Sequence, residues 1–225
     1  MDVARITIAP STSSQVHDWL RRRIQKGDLP PGTRISETEV ASAIGISRQP
    51  VREAFIRLAS EGLAEVRPQR GTYISRISVS SVLSARFIRE AVEADLARIV
   101  ARDRSDPLLD TMTAEIDRQH RADRSGDVEE FIESDDRFHH LLAQAAGHEA
   151  VWADLERLKA QMNRLRHLSM RALDRSVTIA QHQQVLDALR LGDVDAAESA
   201  MRVHLRQMLT EVPQMMAARP DYFTA

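Results

Sequence analysis

The spacing of apolar residues divides the chain into two regions with different patterns. In the first region apolar residues recur every three or four positions, which predicts helices over about 13–26, 37–44 and 48–61. Two short stretches at 63–67 and 72–76 follow and predict two strands joined by a turn. Three helices followed by a two-stranded ribbon are typical of a winged helix-turn-helix.

From about residue 80 the apolar period stays near 3.6, which predicts helices only. These helices cover about 80–103, 107–124, 128–146, 149–172, 176–191 and 194–211. The segment 77–81 separates the two patterns and is the predicted hinge, so we expect domains at 1–77 and 78–225. The predicted fold class is mainly α, with an N-terminal winged helix-turn-helix and a C-terminal all-helical bundle.

Composition narrows the classes of function. Of the 225 residues, 43% are hydrophobic and 28% are charged, which is typical of a globular chain, and the absence of cysteine excludes disulfides and thiolate chemistry. The first residues lack the apolar core of a signal peptide and no apolar run reaches membrane length, so we expect a cytoplasmic protein without a membrane partner. The first 75 residues carry 11 Lys and Arg against 8 Asp and Glu, which favours an anionic partner there.

The third predicted helix carries side chains suited to reading DNA. In a winged helix-turn-helix the start of this helix lies in the major groove, where Arg can bind guanine and Gln can bind adenine. The turn between the strands could bring Arg70 against phosphate, with Gly71 allowing close approach. The alternative is a helical domain whose arginines are only solvated. The candidate contacts in the helix are Ser47, Arg48, Gln49 and Arg52.

Helical phase singles out an Asp and a His between residues 128 and 146. With about 100° per residue, Asp135 and His139 share the inner side with Phe131, whereas Asp136 and His140 face solvent. Both pairs have the same spacing of four residues, so the phase alone separates them.

Two further histidines point into the same bundle. Apolar neighbours flank His182 and His204 in projection, so both are predicted to face inward with Asp135 and His139. Each histidine alone could be a hydrogen-bonded core residue. Four converging groups instead favour a divalent cation, with zinc foremost and nickel, manganese or iron as alternatives.

Arg89 and Glu93 lie one turn apart on the inner face of the helix at 80–103. An inward arginine near a metal is suited to holding the carboxylate of an effector by paired hydrogen bonds. An internal pair between Arg89 and Glu93 explains the pattern equally well.

The first region resembles the winged helix-turn-helix of GntR-type bacterial transcription regulators. The resemblance implies operator binding as a dimer, with contacts from Arg48, Gln49 and Arg52 and from the wing residues Arg70 and Gly71. Gln49 stands where the family commonly has Thr, which predicts a different operator. The matching stretches are LPPG at 29–32, ISE at 35–37, ISRQPVREA at 46–54, EGL at 61–63 and RG at 70–71.

The second region resembles the FCD effector-binding domain of the FadR subgroup of these regulators. The resemblance implies a metal bound by residues at the positions of Asp135, His139, His182 and His204, and a small organic acid as effector, often held at the position of Arg89. The matching stretches are REAVE at 89–93, DDRFH at 135–139, LRLGD at 189–193 and MRVHL at 201–205.

Together these observations predict a dimeric, metabolite-responsive transcriptional regulator, a repressor by preference, that binds a palindromic operator in double-stranded DNA. One alternative is a regulator that senses the metal itself. A second is a metal-dependent hydrolase or lyase joined to a DNA-binding domain, because such a site can activate water. We expect no enzyme, since Glu93 is the only separate inward acid or base beside the ligands.

Overall fold

The structure is a computed structural model that describes residues 11–103 and 106–224. It divides into two compact units, Met1–Arg76 and Ile77–Ala225. The first ten residues, where the sequence shows no signal-peptide core, lie outside the described residues. The predicted fold class is confirmed: a helical N-terminal unit with a small sheet precedes a helical bundle.

Three helices form the body of the first unit: α1 (Thr12–Lys26), α2 (Glu37–Ile44) and α3 (Arg48–Ser60). Ser36 caps α2, since its hydroxyl accepts a hydrogen bond from the backbone N–H of Glu39 at 3.4 Å. Ser47 is the cap residue of α3, but its side chain makes no capping hydrogen bond. The apolar faces of the helices pack together through Leu20, Ile24, Val51, Phe55 and Leu58.

The small sheet of this unit has one strand more than predicted. The strands β1 (Arg34–Ile35), β2 (Ala64–Arg67) and β3 (Gly71–Ile74) are antiparallel in the order β1-β3-β2. The predicted two-stranded wing is present as the hairpin of β2 and β3, and Arg34–Ile35 adds a third strand by pairing with the other edge of β3. Two residues are too few to show the alternating pattern that identifies a strand.

The second unit begins with β4 (Ile77–Ser78) and ends with β5 (Phe223–Thr224), which pair in parallel. The residues of the predicted hinge at 77–81 lie in β4 and the start of α4, where Ile77 is buried and Ser78 caps the first helix of the bundle. The helices are α4 (Val79–Arg102), α5 (Asp106–Ser125), α6 (Val128–Ala145), α7 (Glu149–Leu158), α8 (Ala160–Ala172), α9 (Ser176–Leu191), α10 (Val194–Arg206) and α11 (Met208–Ala218).

Two predicted helices are each divided in two. The helix predicted at 149–172 is interrupted at Lys159, whose ψ of −3° departs from the helical value. The ammonium group of Lys159 points inward and donates to Asp136 and Glu156. The helix predicted at 194–211 breaks at Gln207, and α11 then continues to Ala218 with Pro213 inside it. Both breaks leave the apolar period intact, so the pattern could not indicate them.

The bundle surrounds a large apolar core formed mainly by α4, α5, α6, α9 and α10. A smaller apolar cluster joins Ile77 and Phe223 to methionines of α8 and α11. No helix within 11–103 and 106–224 has the length and apolarity needed to cross a membrane. Polar side chains lie between the two apolar clusters, and these form the site described next.

Candidate metal centre and nucleic-acid interface

Four side chains from three helices meet inside the bundle. Asp135 and His139 lie one turn apart on α6, His182 comes from α9 and His204 comes from α10. One ligand atom of each lies within 4.8 Å of those of the others. The Nε2 atom of His204 is 3.1 Å from Nε2 of His139 and 3.2 Å from Nε2 of His182. The structure thus brings together all four residues that the sequence suggested as metal ligands.

The outer ring nitrogens of the three histidines each face an acceptor. Nδ1 of His139 lies 2.6 Å from Oε2 of Glu93, Nδ1 of His182 lies 2.8 Å from Oε1 of Gln119, and Nδ1 of His204 lies 3.1 Å from Oε1 of Gln181. An acceptor at Nδ1 keeps the proton there and leaves a lone pair on Nε2.

Two Nε2 atoms without protons cannot donate hydrogen bonds to each other, so the approach of His182 and His204 to 3.2 Å is unfavourable without a cation. Carboxylate and amide partners on the outer nitrogen are also typical of metal-binding histidines. The four residues therefore could hold a divalent metal ion, and their nitrogen and oxygen atoms fit zinc and related transition metals.

Electrostatics put three of the four groups in the ionisation states that bind metals. Burial, reinforced by His139 and Arg166, lowers the pKa of His182 to about 3 despite the opposing charge of Asp135. Burial also lowers the pKa of His204 well below its usual value. Burial opposes ionisation of Asp135, but Arg166 together with His139 and His182 outweighs it and lowers the pKa of that carboxyl group. At neutral pH His182 and His204 are therefore neutral imidazoles and Asp135 is a carboxylate, the forms that bind metals.

Arg166 on α8 is a member of this site that the sequence reasoning missed. Its Nη2 atom donates to Asp135, and its Nη1 atom donates to Oδ1 of Asp136 at 2.9 Å. Asp136 also accepts from Nζ of Lys159 at 2.8 Å. The prediction that Asp136 faces solvent is therefore wrong, because two buried cations hold it at the edge of the bundle.

Arg89 and Glu93 form an ion pair inside the bundle. This is the internal pair that the sequence suggested as the alternative to an arginine that holds an effector. Nη2 of Arg89 donates to Oε2 of Glu93 at 3.1 Å. Glu93 is fully buried behind His139, and Arg89 together with His139 outweighs burial and lowers the pKa of its carboxyl group. Glu93 thus supports a candidate ligand, whereas Arg89 also reaches a cavity.

This cavity has a volume of about 430 Å³ including its mouth and lies beside the cluster. Asp135 and His204 belong to both the cluster and the cavity wall. Three guanidinium groups also line the wall, those of Arg86, Arg89 and Arg166. A small anion in the cavity would contact both the cluster and positive charge.

In the first unit, the start of α3 presents its polar side chains outward. Ser47, Arg48, Gln49 and Arg52 are exposed, whereas Val51 on the opposite face is buried. The side chain of Arg48 is 67% exposed, with Nη2 3.3 Å from Oε2 of Glu37. These long polar groups are free to extend towards base edges.

The turn between β2 and β3 forms the tip of the wing. Arg70 is exposed there, and Gly71 has φ +103°, a conformation that favours glycine. A Cβ atom on Gly71 would stand 3.1 Å from Nε of Arg34, so the Arg34 side chain would have to shift slightly to admit one. Arg34, exposed on β1, adds a cation beside the tip that sequence reasoning missed because β1 was not predicted.

Comparison with known proteins assigns both units. Residues 12–74 match the family model described as bacterial regulatory proteins of the gntR family, and residues 85–207 match that of the FCD domain. The chain is a GntR-family regulator with an FCD domain. This GntR regulator is thus a DNA-binding transcriptional regulator and not an enzyme.

Relatives that match nearly the whole length of this chain are also transcriptional regulators. The GntR regulator is 37% identical over 213 residues to the HTH-type transcriptional repressor RspR of Escherichia coli strain K12, covering 94% of this chain and 93% of RspR. It is 37% identical over 216 residues to the HTH-type transcriptional regulator YdfH of Escherichia coli O6:H1, covering 96% and 95% of the two chains.

A solved structure shares the fold. The structure of E. coli McbR/YncC superposes with a TM-score of 0.76, at 21% identity, over 91% of this chain and 98% of that one. At this identity the likeness concerns the fold alone.

Proposed function

We propose that this GntR regulator binds a palindromic operator as a dimer and is switched by a small carboxylate that binds beside a metal in the bundle. The observation that carries the proposal is the shared wall: Asp135 and His204 belong to the four-ligand cluster and also line the cavity. A carboxylate in the cavity would therefore meet the metal and the arginines together.

The proposed metal is zinc, held by the three Nε2 atoms and the carboxylate of Asp135. Three imidazoles and one carboxylate form a donor set that zinc favours, and nickel, manganese or iron(II) would also accept it. When bound, the metal would supply positive charge that attracts an acid. Glu93, Gln119 and Gln181 would keep the three imidazoles oriented towards it.

The proposed effector site adds Arg89 to this charge. Burial opposes the positive charge of Arg89, but Glu93 outweighs it and raises the pKa, so the guanidinium stays charged inside the bundle. Such a group can hold a carboxylate through two parallel hydrogen bonds. Coupling between effector and DNA sites is typically ~1–3 kcal/mol, which is enough to release a repressor from its operator.

The proposed DNA contacts are those of the third helix and the wing: Ser47, Arg48, Gln49, Arg52, Arg70 and Gly71. The first unit has the winged helix-turn-helix architecture, and these residues lie at the start of α3 and at the turn between β2 and β3. In this architecture that helix enters the major groove. The relative RspR is described as a transcriptional repressor, which supports repression as the mode of regulation.

Exposed apolar residues on adjacent helices support a dimer. Phe87 on α4 is 65% exposed and Val203 on α10 is 52% exposed. These helices are tied together by Glu90, whose Oε1 accepts from Nε of Arg206 at 2.8 Å. A second copy of the chain would cover this surface, and sedimentation equilibrium of the purified protein tests it. A monomer at micromolar concentration would contradict the dimer.

The metal site is tested by replacing two ligands on different helices. We expect His139→Ala combined with His182→Ala to lose the bound metal but to keep its affinity for a duplex that the wild-type protein selects from a random library. Mass spectrometry measures metal per chain. The matched control is His120→Ala combined with His148→Ala, since both side chains are exposed and lie outside the cluster.

The outcomes separate the possible roles of the metal. Metal content near that of the wild type in the ligand variant would contradict the site. If chelation and metal addition alone switched the affinity for the selected duplex, the metal would be the signal and the carboxylate proposal would fail. A response to small carboxylates that disappears on chelation is the result that we expect.

A further inference from the structure

Glu211 on α11 is an acidic side chain in the wall of the cavity that Asp135 and three arginines also line. The residue is 6% exposed, and it lies beyond residues 85–207 that match the FCD domain. Among the described residues, no donor forms a hydrogen bond with its Oε2 atom. The wall of the proposed effector site therefore contains a buried acceptor that its surroundings leave unsatisfied.

The other carboxylates of this interior each have a strong partner. Glu93 is held by Arg89, Asp135 by Arg166, and Asp136 by Lys159 and Arg166. An acceptor buried without a donor destabilises the protein, and more strongly when the acceptor is charged. Burial accordingly raises the pKa of Glu211, although Ser169 and Arg166 oppose the shift. Such a group is suited to accept a hydrogen bond from a molecule that enters the cavity.

We propose that Glu211 accepts a hydrogen bond from a hydroxyl group of the effector, so that the effector is a small hydroxy acid. This inference rests on the proposed function, because it assumes that a carboxylate occupies the cavity. The acid group would bind towards Arg89 and the metal cluster. The hydroxyl group would bind towards α11 and satisfy Oε2 of Glu211.

The charges of the cavity favour a hydroxyl group over an ammonium group. Arg86, Arg89 and Arg166 line the same wall, and a ligand cation would be repelled by them and by the bound metal. An acid without any donor would leave Oε2 unsatisfied in the complex. The enclosed space is only about 30 Å³, which limits the ligand to an acid of a few carbon atoms.

A site built to bind a hydroxyl group discriminates strongly against the analogue that lacks it. Losses of 10⁴- to 10⁵-fold occur where buried groups are left unpaired, whereas one methylene changes binding by only about 10- to 200-fold. Since Glu211 is unsatisfied before binding, we expect a smaller preference of about tenfold or more for the hydroxy acid.

Calorimetric titration of the metal-loaded, full-length protein with matched acids tests the proposal. The probes are malate against succinate, and lactate against propionate, with aspartate and alanine as the ammonium counterparts. We expect at least one hydroxy acid to bind about tenfold or more tightly than both its counterparts. Glu211→Leu should remove that preference and leave the affinity for succinate or propionate within about threefold. Gln214→Leu, an exposed change one turn along α11, should keep the preference.

Glu211→Gln provides a second variant that retains an acceptor, and it should keep part of the preference even if Glu211→Leu fails to fold. If hydroxy and plain acids bind equally, or if the preference survives Glu211→Leu, the inference is wrong while the metal-and-acid site stands. Tighter binding of the amino acids would also overturn it. If none of the six acids binds, the proposed carboxylate effector fails, and this inference fails with it.

Discussion

Arginine has opposite roles at the start of α3 and in the centre of the bundle. Arg48 is 67% exposed and Arg52 is also exposed, whereas the side chains of Arg89 and Arg166 are 4% exposed. In the bundle, carboxylates engage both guanidinium groups from within the protein. On α3 the charges are directed outward, where an external anion can engage them.

The difference teaches that the position of the partner determines what an arginine contributes. A buried arginine paired with Asp135 helps to hold the fold, so its removal should unfold the bundle before it affects DNA binding. An exposed arginine contributes little to stability but can contribute to binding a polyanion, with a strength that depends on salt. Two arginine substitutions test this contrast directly, and a third substitution, behind a candidate metal ligand, has an intermediate expected effect.

Removing the charge of Arg166 should have the largest effect. Arg166→Met leaves Asp135 buried without its cation and weakens the support of Asp136, so we expect a loss of about 3–5 kcal/mol in the free energy of unfolding. Urea unfolding monitored by circular dichroism measures it. The control is Arg171→Met on the same helix, an exposed change that we expect to stay within about 0.5 kcal/mol. A loss below about 1 kcal/mol for Arg166→Met would contradict the contrast.

Removing an acceptor behind a ligand should have an intermediate effect. Gln119→Leu deletes the oxygen that faces Nδ1 of His182 at 2.8 Å, and we expect metal affinity to fall by about 10- to 100-fold. Competition with a chelating dye measures this, with the exposed change Gln184→Leu as control. Unchanged metal affinity would show that Gln119 does not orient the imidazole.

Removing an exposed arginine from α3 should weaken DNA binding and leave the stability of the fold unchanged. We expect Arg52→Ala to weaken binding of the selected duplex by about 1–3 kcal/mol without shifting the unfolding transition. Fluorescence anisotropy at fixed salt measures the affinity, and Arg121→Ala, an exposed change on α5, serves as the control. A clear shift in melting temperature for Arg52→Ala would show that this arginine supports the fold.

The sequence could predict the parts of the site that amphipathic helices carry. Phase alone separated Asp135 and His139 from their neighbours, because α6 has one apolar face and buries it. Arg166 could not be found in this way, since nearly every residue of α8 is buried and no polar face marks its orientation. Glu211 ends the helix predicted at 194–211, but the apolar pattern did not indicate that its side chain lines the same cavity as Arg166.

The short strands also show that structure without a local sequence pattern could not be predicted. The pair at 63–67 and 72–76 was predicted because each stretch is long enough to alternate. Arg34–Ile35 and Phe223–Thr224 have two residues each, and only their distant partners make them strands. Pairing between residues far apart in the chain leaves no local pattern.

The pairing of β4 with β5 makes the bundle a candidate for circular permutation. Ile77 lies beside Phe223 and Ser78 beside Thr224, so the two ends of this unit are neighbours in space. A linker of a few residues would join them, and new termini could open at Gly147, an exposed glycine between α6 and α7. Such a permutant would retain every ligand of the metal cluster while freeing the bundle from the chain order that ties it to the first unit.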